Sequence, residues 1–360
     1  MKIAVLGSGN GGCAVAFDCA ASGHHVSLFD FEHFPDTIRS VQDKGGINSV
    51  GQLKGFQSVS DAGHDIAEAL YQSDLIFAVG PAYSTRPFAE ACRPHLKMGQ
   101  IVIVCPGSCG GAAEFKVGIN RDFRDEEIMV AETSTLPYAV RLVESGKIRV
   151  FLKLKDGIFL SALPAKHTEF IIEKIRDVYP SMRAAKNILQ TSLQNGNPVI
   201  HPAIALLNAG LIERTGGDFY FYQEGVTRAA GRLIKAVDEE RIAIGRKLNV
   251  EVLPDPALGY EQGYMAEPTY EIGYSKAPGF KGIKAPPSLN DRYLNEDVGY
   301  GLTFMKSLAD QFRIDTPAID TVIRLASILM DRDYLSEGKR TMASLGLSEC
   351  SAEELESLIT

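Results

Sequence analysis

Lys2-Ile3-Ala4-Val5-Leu6-Gly7-Ser8-Gly9-Asn10-Gly11-Gly12 is the stretch on which the fold turns. A short apolar run leads straight into GxGxxG, and a segment rich in small residues, Asn10 to Ala21, follows it. That context gives weight to a motif that is weak by itself in a chain with 34 glycines. Gly7 allows the tight turn, Gly9 lets the backbone approach a pyrophosphate, and Gly12 lets helix and strand pack closely. Around Asn10 and Gly11 the helix start offers free N–H groups and a positive dipole end to phosphates. Asp30 ends the second strand, 18 residues after Gly12. A carboxylate there hydrogen-bonds the adenosine ribose hydroxyls and repels a 2′-phosphate, so NAD is expected ahead of NADP. The plain alternative is a Gly-rich turn in an α/β protein that binds no nucleotide.

Outward from this loop, strands and helices alternate. Ser22-Gly23 stops the first helix, His25 to Phe29 is a strand, and Pro35 to Lys44 a helix. Leu75 to Val79 and Ile101 to Val104 are buried-strand runs, with a helical stretch including Phe88 to Cys92 between them. Such alternation implies βαβ units and a parallel sheet. Val79, Gly80 and Pro81 then fall at the carboxyl edge of that sheet, where a second cofactor contact is expected. Pro106-Gly107-Ser108 holds the same place one strand later, although both could be ordinary strand-to-helix turns. Arg149 to Leu154 and Ile158 to Leu163 are both expected as strands added at an edge of the sheet.

The pattern changes near residue 185. Asn187 to Asn195, Ala203 to Leu211, Gly225 to Leu248, Leu302 to Phe312 and Pro317 to Met330 carry helical periodicity. The reading is α/β: a Rossmann-like N-terminal domain over 1–183 and an all-α C-terminal domain over 184–360. Leu253 to Asn295, rich in Gly, Pro and Tyr, reads as a functional loop. Its Tyr260, Tyr264, Tyr270 and Tyr274 are expected to offer rings to a substrate cleft.

Among 360 residues, 37 Lys+Arg stand against 45 Asp+Glu, a net charge of −8. That balance leaves no electrostatic footprint for nucleic acid or an anionic membrane. No apolar run approaches the roughly 18 residues that span a bilayer, and no signal peptide is read at the N-terminus. The six cysteines, 13, 19, 92, 105, 109 and 350, form no CxxC pair. They read as reduced thiols of a cytoplasmic protein, and no metal site is expected.

Reduction with a nicotinamide needs a group that moves protons near neutrality, and histidine is the natural one. Of seven histidines, only His201 has an unusual setting, Asn195-Gly196-Asn197-Pro198-Val199-Ile200-His201-Pro202. Uncharged amides precede it, and nearby prolines restrict the backbone. A buried histidine that merely packs a helix is the alternative.

Several separated segments resemble the opine dehydrogenase (octopine/nopaline dehydrogenase) family. They are Gly7 to Gly12, Pro106 to Gly111, Glu132-Thr133-Ser134, Thr191-Ser192-Leu193 with Asn197 and His201-Pro202, and Leu289-Asn290 with Arg292-Tyr293 and Glu296-Asp297-Val298. The resemblance implies reductive condensation of an L-amino acid with an α-keto acid through an imine, using NAD(P)H. It implies His201 and Asp297 as a catalytic dyad and Arg292 as the grip on a substrate carboxylate. It also implies Glu132 and Thr133 near the nicotinamide and the amino acid, and leaves a homodimer open. Cys13 and Cys105 depart from the family pattern beside the nucleotide site. Without the resemblance, Arg292 would read as a surface ion pair with Glu296 or Asp297.

Two other readings compete. One is a 2-keto or 2-hydroxy acid oxidoreductase resembling glycerol-3-phosphate dehydrogenase or ketopantoate reductase, which would call for a lysine in the helical half; Lys235 is the obvious candidate. The other is a non-catalytic NAD-binding sensor, which would keep the glycine loop without the dyad.

Overall fold

In the computed structural model, which describes residues 1–360, twelve strands form two sheets. They are β1 (Lys2–Leu6), β2 (His25–Phe29), β3 (Gly46–Gly51), β4 (Gly55–Ser58), β5 (Asp61–Gly63), β6 (Leu75–Ala78), β7 (Ile101–Val104), β8 (Met129–Thr133), β9 (Tyr138–Glu144), β10 (Lys147–Lys153), β11 (Ile158–Leu163) and β12 (Met182–Ala184). The larger sheet has the order β12-β11-β8-β7-β6-β1-β2-β5. Its six strands from β5 to β8 are parallel. The chain winds outward from β1 in both directions, and the crevice between β1 and β6 opens at their carboxyl ends. Every residue of β6 and β7 is buried, as expected for central strands covered on both faces.

Two of the expected edge strands part company. β11 lies in the large sheet, antiparallel to β8 and followed at the edge by β12. β10 instead pairs with β9 and β3 in a separate four-stranded sheet of order β4-β3-β10-β9. Burial explains the split. All six residues of β11 are buried, whereas β10 alternates, with Ile148 and Val150 inside and Arg149 and Phe151 outside. A strand with one wet face suits a sheet covered on one side only.

After Ala184 the regular elements are helices. The longest, Arg228–Lys247, is capped by the Thr227 hydroxyl accepting from the Ala230 N–H. Ile234, Val237, Asp238, Arg241 and Ile244 form its buried stripe. One hydrophobic core runs without a break from one face of the large sheet into these helices. A second joins the other face to the helix Asn10–Ala21 and the small sheet.

Leu253 to Asn295 is not one open loop. It contains the helices Asp255–Gln262, Ile272–Ser275 and Arg292–Asn295. Two of its tyrosines are anchors: the Tyr270 hydroxyl donates to Asp238 at 2.7 Å, and the fully buried Tyr274 donates to Asp255. The Arg241 guanidinium, also without exposed surface, bonds Asp238 and the Leu193 and Leu253 carbonyls. Gly and Pro shorten the helices here, while this buried polar network holds the segment down. Tyr260 points outward, 56% exposed. Tyr264 stacks on Phe280 with centroids 5.0 Å apart.

Candidate active site

The glycine loop has the geometry its sequence demands. Gly7 has φ +104, and a Cβ there would lie 2.1 Å from the Val79 carbonyl oxygen. At Gly12 a Cβ would lie 1.8 Å from the Gly7 carbonyl oxygen. Gly9 is different: a Cβ would meet no protein atom within 4 Å, so the space over the loop is left to a ligand. Asp30 accepts from the Ser8 N–H and hydroxyl, both at 2.7 Å, and from the Phe31 N–H at 2.9 Å. Asn10, first residue of the helix, accepts from the Leu142 N–H at 2.6 Å. These residues fit a dinucleotide laid across the β1–β6 crevice.

His201 lies in the helix Asn197–Leu207, where Pro198 occupies the first turn, and Pro198 to Leu206 are all buried. Its Nδ1 is 2.8 Å from Asp297 Oδ2, and its Nε2 is 2.9 Å from the Tyr222 hydroxyl oxygen. Tyr293 stacks on the imidazole with centroids 4.1 Å apart. Burial, then the Arg292 charge, pushes the imidazole well below its ordinary value. Burial also pushes the Asp297 carboxyl up to about 7, against the pull of Arg292. Burial thus works against the charged form of each group.

Asp291 opens the segment that carries Asp297 by capping the one-turn helix Arg292–Asn295 at the Tyr293 N–H. The backbone then widens into a π turn, Asp297–Leu302, a form that recurs at functional sites. The Arg292 side chain is 42% exposed, lies over the Tyr293 ring and is 3.5 Å from Glu296. It keeps donors free for an anion. Glu296 is buried and accepts from the Ala82 N–H at 2.9 Å and the Ser108 hydroxyl at 3.2 Å. It thus ties this turn to the segments following β6 and β7.

His201, Asp297 and Arg292 are brought together, and no hydrogen bond joins Glu132 or Thr133 to them. Glu132 ends β8 without exposed surface. It accepts from the Thr191 hydroxyl at 2.6 Å, the Ser192 hydroxyl at 2.9 Å and the Ala112 N–H at 2.7 Å. Its carboxylate faces the N-terminus of the helix Gly111–Gly118 and bonds the strand side to the helical half. Thr133 is buried, its hydroxyl donating to the Thr135 carbonyl. Sequence reasoning placed these two beside the substrate; here their bonds are internal. Lys235 is exposed and paired with Glu239. The Cys105 and Cys109 thiols are pushed up to about 12 by burial.

Two residues escaped sequence reasoning, Tyr222 and Arg340, and Glu296, named there only in a matching segment and as a possible ion-pair partner of Arg292, has a further role. The Arg340 guanidinium has no exposed surface and pairs with Glu114. It also donates to the carbonyls of Gly107, Ser108, Cys109 and Ala82 and to the Thr85 hydroxyl, at 2.8 to 3.1 Å. A residue near the end of the chain therefore braces both segments at the carboxyl edge of β6 and β7. No local pattern signals it.

Comparisons with known proteins bear on the family and the fold. Residues 184–330 match the family model of the NAD/NADP octopine/nopaline dehydrogenase alpha-helical domain. Residues 2–109 match that of the NAD-dependent glycerol-3-phosphate dehydrogenase N-terminus. The chain is 36% identical over 359 residues to an opine dehydrogenase of Arthrobacter sp. (strain 1C), covering 99% of this chain and 98% of that protein. It is 27% identical over 299 residues to a tauropine dehydrogenase of Arabella iricolor, covering 75% and 74%. A solved octopine dehydrogenase with NADH and L-arginine superposes with a TM-score of 0.80 at 18% identity, covering 99% and 98%. A yersinopine dehydrogenase with NADP+ does so with a TM-score of 0.71 at 15% identity, covering 99% and 98%. The two structures share the two-domain fold, a Rossmann-like nucleotide-binding half and an α-helical half.

Proposed function

The chain belongs to the opine dehydrogenase family, and we propose that it joins an L-amino acid to an α-keto acid such as pyruvate by NADH-dependent reduction, and runs the reverse oxidation. The observation that carries this reading is the His201–Asp297 bond, with Arg292 one turn away on the segment that also holds the nucleotide loops. We divide the chain into a nucleotide-binding half, 1–183, and a helical substrate half, 184–360. No helix is long and apolar enough to cross a membrane. All six cysteines are free, which fits a reducing compartment, and we assign the enzyme to the cytoplasm.

The roles follow from the groups. The amine attacks the keto carbon, a C–N bond forms, and the carbinolamine loses water to give an imine. NADH, when bound, supplies the hydride that the imine carbon accepts. Asp297, bonded to Nδ1, orients the imidazole and stabilises its charged form, and His201 moves the protons that imine formation and reduction require. Arg292 offers two parallel donors to a substrate carboxylate, holding the carbon in register for reaction. Gly7, Gly9, Asn10, Gly11, Gly12 and Asp30 hold the dinucleotide, with Val79, Gly80 and Pro81 on the facing loop.

Mixing the protein with NADH and pyruvate, with and without a panel of L-amino acids, tests the reading. NADH consumption that requires the amino acid is the expected result. Equal consumption without any amine would make it a keto acid reductase, and no consumption would favour a sensor.

A further inference from the structure

The imidazole of His201 is bonded at both nitrogens, and only one of those bonds has been given a role above. Nδ1 faces Asp297 and Nε2 faces the Tyr222 hydroxyl. Resting on the proposed reaction, we propose that the Tyr222 hydroxyl is the last protein atom of the proton path, carrying protons between His201 Nε2 and the substrate oxygen that leaves as water.

His201 is 4% exposed, with Tyr293 stacked on its ring. The Tyr222 oxygen holds the hydrogen-bonding position on Nε2, so a substrate oxygen taking that position would displace the phenol. That phenol is fixed: its ring stacks on Phe280 at 4.1 Å and meets Phe221 edge-on at 5.1 Å. Displacement would break both aromatic contacts.

A hydroxyl in this place can do what the geometry asks. It donates one hydrogen bond and accepts others. Toward neutral imidazole, the Tyr222 O–H donates to Nε2. Toward imidazolium, the Nε2–H donates to the oxygen, and the phenolic hydrogen is free to turn to the substrate. In the dehydration step the Nε2–H bond breaks and a new O–H bond forms on Tyr222. The original phenolic O–H bond breaks as its proton joins the leaving hydroxyl. Water departs, the imidazole becomes neutral, and the tyrosine ends as it began. Burial holds the phenol well above its ordinary value, so it acts as a hydroxyl and not as a phenolate.

Tyr222→Phe keeps the ring and its stacking and removes one oxygen. The expected result is a fall in kcat of about tenfold or more, with NADH binding by fluorescence unchanged. The pH profile of kcat should change shape as well. In the wild type, the rate measured across H2O–D2O mixtures should curve, as for two protons in flight, and become linear in the variant. A variant that keeps kcat within twofold and the same pH profile overturns the relay, as does a linear wild-type response. Nitrogen NMR of the His201 ring in the NADH complex is independent of turnover: its Nε2 signal should shift in Tyr222→Phe, and an unmoved signal also overturns the proposal. If the wild type reduces pyruvate without an amine, the condensation reading fails, yet the same comparison on that activity still reads the relay.

Discussion

Glu296 and Asp297 are adjacent in sequence, yet their carboxylates serve opposite halves of the molecule. Glu296 accepts from Ala82 and Ser108 beside the nucleotide crevice, while Asp297 accepts from His201 in the helical half. Successive residues on a helical turn point about 100° apart, so one turn can face both ways. Burial raises both carboxyls, and the Asp297 charge raises Glu296 further. Any shift of the loops following β6 and β7 is thus felt one residue away from the dyad.

The dyad predicts opposite pH limbs for the two directions of reaction. The Asp297 carboxyl is pushed up to about 7 and the imidazole is pushed down, so the pair carries one more proton below about pH 7 than above it. Reduction uses that proton, so its kcat falls as pH rises through about 7; oxidation needs the site empty, so its kcat rises. His201→Ala should lower kcat by roughly 10²-fold or more with NADH binding intact. Asp297→Asn should also lower it, because it permits the wrong tautomer. Limbs of the same sign in both directions would remove the dyad from the mechanism.

Arg292 is half-exposed and shares only one long contact with Glu296. Arg292→Ala should raise KM for the acid whose carboxylate it grips by about 10- to 100-fold, since a charged hydrogen bond is worth roughly 1.5–3 kcal/mol. Arg292→Lys should recover part of this, lacking the two-pronged fork. Initial rates with each substrate varied in turn decide it; unchanged KM values for both acids would count against the role.

Asp30 should make NADH the preferred cofactor. Its carboxylate also satisfies three donors, at Ser8 and Phe31. Asp30→Ser should therefore shift kcat/KM toward NADPH and cost about 1–3 kcal/mol of stability by leaving buried donors unpaired. A tenfold preference of the wild type for NADPH would mean that Asp30 does not face the ribose.

Asp255 gives a stability prediction. Burial, then the Asp238 charge, pushes it from 3.8 up to about 6. A carboxyl raised on folding contributes stability that is present below its unfolded value and lost as pH rises through its folded one. The window is therefore about pH 4 to 6, and two pKa units correspond to roughly 3 kcal/mol. Asp255→Asn should flatten the decline in Tm over that window relative to the wild type, its amide oxygen still accepting from Tyr274. Parallel curves for the two proteins would show that Asp255 does not titrate there.

What could be read from the chain follows from how local each signal is. The run from Lys2 to Gly12 was legible because strand, turn and helix start are dictated by adjacent residues. His201 stood out through its own neighbours. Asp297 and Arg292 emerged only by family resemblance, since an isolated Asp or Arg in a polar stretch looks solvated. Tyr222 and Arg340, and the tie that Glu296 makes to Ala82, were invisible because the partners lie from 21 to 258 residues away. Glu132 was named by resemblance alone, and its bonding partners are just as distant in sequence. Its position at the end of β8 is local, but Thr191 and Ser192, which occupy it, come from the other half. β10 carries Lys147, Arg149 and Lys153 while β11 carries no charge, but which sheet each joins is set by long-range pairing.

The Arg340 clasp bears on how the molecule is made. The nucleotide-binding half leaves the ribosome first and can fold as a unit. Its Gly107–Cys109 carbonyls and the Glu114 carboxylate must nonetheless wait for a guanidinium that lies 226 to 233 residues further along the chain. Until residue 340 emerges, those groups face water, and the crevice is a sheet with unbraced rims. Competence for the cofactor is thus a late event of synthesis, and a nascent chain stalled before that arginine would carry the nucleotide fingerprint without a finished site.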